Sequence, residues 1–271
     1  MSVRKMRLLT LAVVCAAAGL SQNQDQKEPP TVRDYCVKVD AGKSAEFETF
    51  AHDYALPLSQ ARAASGEFSW FLIMRAVVPA GTSANCDYRV VYGYRGLPPE
   101  TASSEQIEAA IRQAKLKTTA KEMIARRDSM SHLVDVGIWV QLASSGGQAQ
   151  KGGYVRLNHY NVKPRAFDEW VRLETTYWKP IVESWTKTGA TVGWGAYNLL
   201  MPQGENQPYN AVTVDIFPDW KALVNDVPLN ELWPKTHPHT EATEVFDRLD
   251  GVRSRHDIEI YKVLEMVAPT S

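Results

Sequence analysis

Scarcity is the first property of this chain. It has three cysteines in 271 residues and no block of lysine or arginine. Its longest apolar run is shorter than the roughly 20 residues that span a bilayer. It has no HExxH, no pair of CxxC motifs, no G-x-S-x-G elbow, no P-loop and no Rossmann glycine fingerprint. The common metal, serine-nucleophile and nucleotide sites therefore lack their usual residues. Thirty basic and 31 acidic side chains give a formal net charge of −1. A mixed, mildly acidic surface argues against nucleic acid or an anionic membrane as a partner.

The amino terminus carries an export pattern. Arg4, Lys5 and Arg7 precede an apolar run over residues 8–20, with small residues around 16–21 for signal peptidase. Residues 1–21 read as a signal peptide and the protein as periplasmic or secreted. Cys15 follows Val13 and Val14, where a lipobox carries small residues, so a lipid anchor is not expected. Removing the segment takes three positive charges and no acidic ones, which moves the net charge to about −4. Polar residues 22–31 read as a disordered linker. Cys36 and Cys86 remain, an even count that suits a disulfide in an exported protein. Two separate half-buried thiols are the alternative.

The second half of the chain repeats the first. Tyr54 and Pro57 are answered by Tyr177 and Pro180, Gly66 by Gly189, and Pro79 with Gly81 by Pro202 with Gly204, all at an offset of 123. Asn85 and Tyr88 then match Asn206 and Tyr209, and Asp135 with Trp139 match Asp257 with Tyr261. Such constant spacing points to two sibling units, residues 32–143 and 153–267, joined by a Gly- and Ser-rich linker over 144–152.

Each unit opens with a short β run, at residues 35–39 and 154–160. An amphipathic helix follows, with Phe47, Phe50, Tyr54 and Leu58 in one stripe and Trp170, Trp178, Ile181 and Trp185 in the other. Pro57 and Pro180 fall deep in these stripes and predict a kink or break. Gly66 and Gly189 predict the helix stops. A hairpin through Pro79 or Pro202 comes next, then helical segments, then a last strand over 134–142 or 256–263.

The order is β-α-β-β-α-β, twice, the split βαβ or ferredoxin-like arrangement. In this the chain resembles the dimeric α+β barrel superfamily in a tandem single-chain form. Within it the chain looks most similar to NIPSNAP-like and antibiotic-biosynthesis-monooxygenase-like proteins. The resemblance implies an α+β fold in which two antiparallel sheets pack face to face around a cavity. It also implies first and third strands side by side and parallel, which would bring Cys36 to Cys86. In-chain duplication would supply the pairing that single-unit relatives obtain by dimerising, so a monomer or weak homodimer is expected.

Aligning the first strands at an offset of 118 pairs Val37 with Val155 and Val39 with Leu157, as helix-facing positions. Lys38, Arg156 and Asn158 then face the cavity. The two cations read either as anchors for a carboxylate ligand or as partners of acidic side chains. Trp70, Trp194 and Tyr197, with Trp139 and Tyr261, read as cavity lining or as plain core. Gly193 and Gly195 beside Trp194 mark a bulge or a close approach. His256 with Asp257, or His159, are the acid–base candidates, with structural roles the alternative. His237 and His239 straddle a proline, but two ligands do not make a metal site. No cofactor is demanded, and haem on His159 or His256 enters only because some relatives bind it.

The functional expectation is an exported protein that binds a small organic ligand, aromatic or carboxylate. The alternatives are a cofactor-independent monooxygenase- or isomerase-like enzyme, and a filled barrel acting through its surface.

Overall fold

The computed structural model describes residues 28–204, 207–225 and 227–268. Residues 1–21, read above as a signal peptide, lie outside them. Among the described residues eight strands form one closed barrel. The first half contributes β1 (Thr31–Val39), β2 (Trp70–Val78), β3 (Tyr88–Tyr94) and β4 (Ser131–Gly146). The second contributes β5 (Tyr154–Val162), β6 (Gly193–Met201), β7 (Ala211–Phe217) and β8 (Arg253–Val267). The order around the barrel is β1-β3-β2-β8-β5-β7-β6-β4.

The two sheets therefore do more than face each other. β2 hydrogen-bonds to β8 and β4 to β6, which leaves no open edge. Every neighbouring pair is antiparallel. β4 and β8, at 16 and 15 residues, are long enough to pair within their own half and across the seam.

Helices cover the outside. α1 (Ser44–Phe50) and α2 (Leu56–Ala64) follow β1, while α3 (Ser104–Gln113) and α4 (Ala120–Asp128) follow β3. In the second half come α5 (Phe167–Leu173), α6 (Lys179–Thr186), α7 (Trp220–Val224), α8 (Leu229–Thr236) and α9 (Ala242–Val252). Neither Pro57 nor Pro180 breaks its helix. Instead a π-helical turn, Ala51–Ala55 or Glu174–Trp178, precedes each proline. A proline offers no N–H and crowds the carbonyl four residues back, and widening the preceding turn moves the ring off that carbonyl. Gly66 and Gly189 do end α2 and α6, at φ +81° and +76°.

Apolar residues fill three regions. Phe47, Phe50, Phe71, Ile73 and Tyr88 pack beneath the first helical layer. Trp170, Ile181, Trp194, Trp233 and Val245 pack beneath the second. Val32, Met74, Val91, Trp139, Val155 and Leu157 line the barrel lumen. Its strands are thus apolar on both faces.

Cys36 and Cys86 are bonded, with Cα atoms 5.1 Å apart. The pairing holds, but the expected geometry does not. β1 and β3 run antiparallel, and Cys36 lies in the second half of β1, which starts at Thr31 and not at residue 35. The antiparallel register, Cys36 opposite Arg89, brings it to the segment just before β3. Closing a fifty-residue loop contributes about 4 kcal/mol on the chain-entropy model. Residues 30 and 31 are likewise tied down: Thr31 begins β1, and the Pro30 carbonyl accepts from the Gln141 N–H at 2.9 Å. Of the inter-unit linker, residues 144–146 complete β4 and Ala149 is buried in the lumen core.

Candidate functional site

An eight-stranded barrel is just wide enough to be filled by side chains or to hold one small ligand. This lumen is partly filled. A chamber of about 270 Å³ occupies the end where β1 starts and β4 finishes. Its walls are apolar: Trp70, Leu72 and Met74 from β2, Val155 and Leu157 from β5, and Val212 and Val214 from β7. Trp139 and Tyr197 add aromatic surface, and burial pushes the Tyr197 phenol up to about 12. Gly147, Gln148 and Ala149 of the inter-unit segment border it as well.

The floor is polar. Arg89, Asp34 and His159 all line the chamber. Arg89 is 4% exposed and is the hub. Its guanidinium donates to Asp34 Oδ2, to Glu259 Oε2 at 2.7 Å and to the Tyr261 hydroxyl at 3.0 Å. The Tyr261 hydroxyl in turn donates to Glu259 Oε2 at 2.9 Å. A guanidinium with two carboxylates and a phenol satisfies most of its fork, which is what lets such charges exist inside a protein. Asp34 is less well provided for. Its Oδ1 is buried and bonded by no protein group. Burial holds its carboxyl above the usual carboxylate range even though Arg89 pulls the other way.

His159, 1% exposed, is clamped on two sides. Its Nδ1 lies 2.5 Å from Asp257 Oδ1, and its ring stacks on Tyr209 at 4.0 Å between centroids. Burial opposes charge on Asp257, yet the hydrogen bond with His159 outweighs it and helps hold that carboxyl below its ordinary value. A carboxylate acceptor on Nδ1 fixes the tautomer and leaves Nε2 with the lone pair. The arrangement is an oriented base at the edge of an apolar chamber.

Below this belt a second cavity of about 340 Å³ opens at the other end, lined by Cys36, Cys86, Asp135, Pro202, Tyr209 and His256 among others. Asp34, Arg89 and Trp139 border both cavities. His256 Nε2 is 3.8 Å from Asp257 Oδ2 and 42% exposed, so Asp257 serves His159 first.

Several expectations need correction. Arg156 donates to Asp215 Oδ2 at 3.0 Å and lies over the Phe217 ring, under the second helical layer. Asn158 donates to the same carboxylate at 2.8 Å and to Thr213. Lys38 donates to the Ala84 carbonyl at 2.7 Å and to Asp87 at 3.1 Å, and does not border either cavity. The matched cations are ion-paired with the scaffold, as the second of the two expectations for them had it. Trp194 borders the chamber but packs with the core beneath the second helices, its Nε1 unbonded. Trp70 and Tyr197 do line it. Gly195 also lines it, with the space a Cβ would need taken by the Tyr197 ring. His237 Nε2 is 2.9 Å from the Tyr177 carbonyl, in an aromatic cluster with Trp233.

Haem on His159 does not fit the chamber. His159 offers the right donor type, but the chamber's volume sits below the roughly 300–1,000 Å³ of ordinary ligand pockets. Arg89, the lining cation, is already committed to two carboxylates, so no cation is left for the propionates. Among the described residues no three His, Cys, Asp or Glu side chains gather as a metal site, and no helix is long and apolar enough to cross a membrane.

The fold is that of an α+β barrel, and solved structures share it. A candidate monooxygenase from Lactobacillus acidophilus NCFM superposes with a TM-score of 0.56 at 11% identity, covering 89% of this chain and 97% of that one. A candidate monooxygenase from Fusobacterium nucleatum gives 0.54 at 10%, covering 89% and 95%. At such identity the likeness is one of fold. No protein-family model matches the sequence, and no curated protein matches it.

Proposed function

We propose that this protein binds one small, largely apolar organic molecule inside the barrel, with a polar end at the Arg89 belt. The observation that carries the reading is the chamber itself. A closed barrel core normally packs to the density of an organic crystal, whereas here an apolar lumen with a polar floor keeps about 270 Å³. A dry cavity of about 150 Å³ is enough for benzene, so one or two rings fit.

The test uses p-xylene as probe and isothermal calorimetry as readout. Wild-type protein takes up one equivalent, and Val212→Trp, which fills the chamber from β7, takes up none while keeping its circular dichroism. No uptake by the wild type, or equal uptake by the filled variant, would end the reading.

A second reading follows from the His159–Asp257 dyad. An oriented imidazole facing an apolar chamber can remove a weakly acidic proton from a bound ligand and return it elsewhere, chemistry that needs no cofactor. The candidate-monooxygenase descriptions of the two structural neighbours are compatible with it. The ligand extracted from protein purified from its source, incubated with the protein in D2O, should gain deuterium at a C–H position. His159→Gln should stop the exchange and leave binding intact, and exchange that survives the substitution would exclude the dyad as base.

A further inference from the structure

The charge and hydrogen-bond balance of the belt defines what kind of polar end the ligand carries, an inference that rests on the binding reading above. Three carboxylates gather there: Asp34 from β1 borders the chamber, and Asp257 and Glu259 from β8 hold His159 and Arg89. The basic side chains nearest Asp34 are the Arg89 guanidinium from β3, which donates to it, and the His159 imidazole from β5. Tyr209 and Tyr261 add hydroxyls, and Asp135 and the exposed His256 lie beyond, in the second cavity. Arg89 already donates to Asp34, Glu259 and Tyr261, and His159 Nδ1 to Asp257. What the floor leaves without a protein partner are acceptors: Asp34 Oδ1, which is buried, and the His159 Nε2 lone pair.

A carboxylate ligand would meet Asp34 as a second anion in a low-dielectric lumen, where like charges a few ångströms apart repel by several kcal/mol. A ligand with a donor head does the opposite. A positively charged donor also relieves the excess of negative charge. We propose that the chamber is a site for a small primary amine, an ammonium head on a one- or two-ring apolar body, with the head donating to Asp34 Oδ1. This replaces the anion expected from Lys38 and Arg156 with a cation.

Four probes of nearly one shape test it by calorimetry at neutral pH: 4-methylbenzylamine, 4-methylbenzyl alcohol, p-xylene and 4-methylbenzoate. The amine is expected to bind about ten-fold or more tighter than p-xylene, the scale of one charge-assisted hydrogen bond. The alcohol should fall between them and the benzoate should not bind. Asp34→Asn should erase the amine's advantage, read as the ratio of amine to p-xylene affinity within the variant. A second measurement does not depend on that variant folding. The wild-type ratio of amine to p-xylene affinity should fall as pH drops into the raised range of Asp34, because protonation removes the acceptor's charge while the amine stays cationic. If p-xylene binds but the alcohol or the benzoate matches or beats the amine, the amine assignment is wrong and the binding reading survives. If none of the four binds, the binding reading fails and takes the assignment with it.

Discussion

Arg89→Met should cost the protein about 3–5 kcal/mol of stability, the usual consequence of removing one partner of a buried charge cluster. Methionine matches the length and apolar bulk of the arginine stem, so little of that loss is volume. The loss is electrostatic: Asp34 and Glu259 stay in the lumen with no cation between them, and the Tyr261 hydroxyl loses its donor. For a domain of this size the midpoint of thermal unfolding should drop by roughly 10 °C. Adding Asp34→Asn and Glu259→Gln to Arg89→Met should recover more than half of the loss. Neutral amides of the same shape leave no unpaired charge behind, and buried ion clusters replaced as a set are often close to neutral in stability. Chemical denaturation of the single and triple variants is the measurement. A loss under about 1 kcal/mol for Arg89→Met alone would mean that water reaches the belt and that the lumen is not the low-dielectric space assumed above. A triple variant no better than the single one would point to packing and not charge.

That cluster is partly legible in the sequence, through the alternation of its strands. On β3, Arg89 alternates with Val91 and Gly93 on one face, opposite Tyr88, Val90 and Tyr92. On β8, Glu259 shares a face with Tyr261 and Val263. A charged residue in phase with the apolar residues of a central strand has to find a partner across the sheet or the lumen, and Arg89 and Glu259 are each other's. Asp34 is hidden for a different reason: a β1 that starts at residue 35 leaves the third member outside any strand.

Whereas the cysteine pair followed from the even count and the barrel resemblance, the element order, the hairpins and the helix stops followed from local chemistry that acts over a few residues. The direction of β5 side chains did not, and the cause is a single choice of register. The repeat itself runs at an offset of 123, but the first strands were aligned at 118. Five residues is an odd shift, and with a side-chain period of two an odd shift exchanges the faces. At 123, Val32 pairs with Val155 and Cys36 with His159, all on the luminal side. At 118, Val155 and Leu157 were sent to the helices, and Arg156 and Asn158 to the cavity. Hydrophobicity could not expose the error, because these strands are buried on both faces and only the identity of the covering layer differs. What sequence could have offered is the rest of the 123 series, which holds through Tyr177, Pro180, Gly189 and Pro202.

Gly93→Ala should abolish ligand uptake by the chamber while changing one methyl group on its wall. Gly93 lies directly opposite Trp70 across the β2–β3 ladder, on the luminal face. The indole covers it so closely that a Cβ there would sit 2.0 Å from Trp70 Cε2 and 2.1 Å from Nε1. Those are ring atoms near a backbone held by hydrogen bonds on both sides, since β3 pairs with β1 as well. The sheet cannot yield, so the ring must leave, and the space open to it is the chamber. Overpacking of this kind costs about 1–3 kcal/mol. Its larger effect is on binding, because an indole displaced into about 270 Å³ occupies much of the room a one-ring probe needs. Affinity for p-xylene should fall by about 100-fold or more, the loss of roughly 3 kcal/mol of apolar burial. Trp70→Ala alone should enlarge the chamber and admit bulkier probes such as naphthalene. The double variant Trp70→Ala, Gly93→Ala should bind like Trp70→Ala, since the clash needs both partners. Non-additivity of that sign is the signature of a ring forced into the lumen. If Gly93→Ala binds p-xylene as the wild type does, the indole has an exit that avoids the chamber, and Trp70 is not the wall that limits its size.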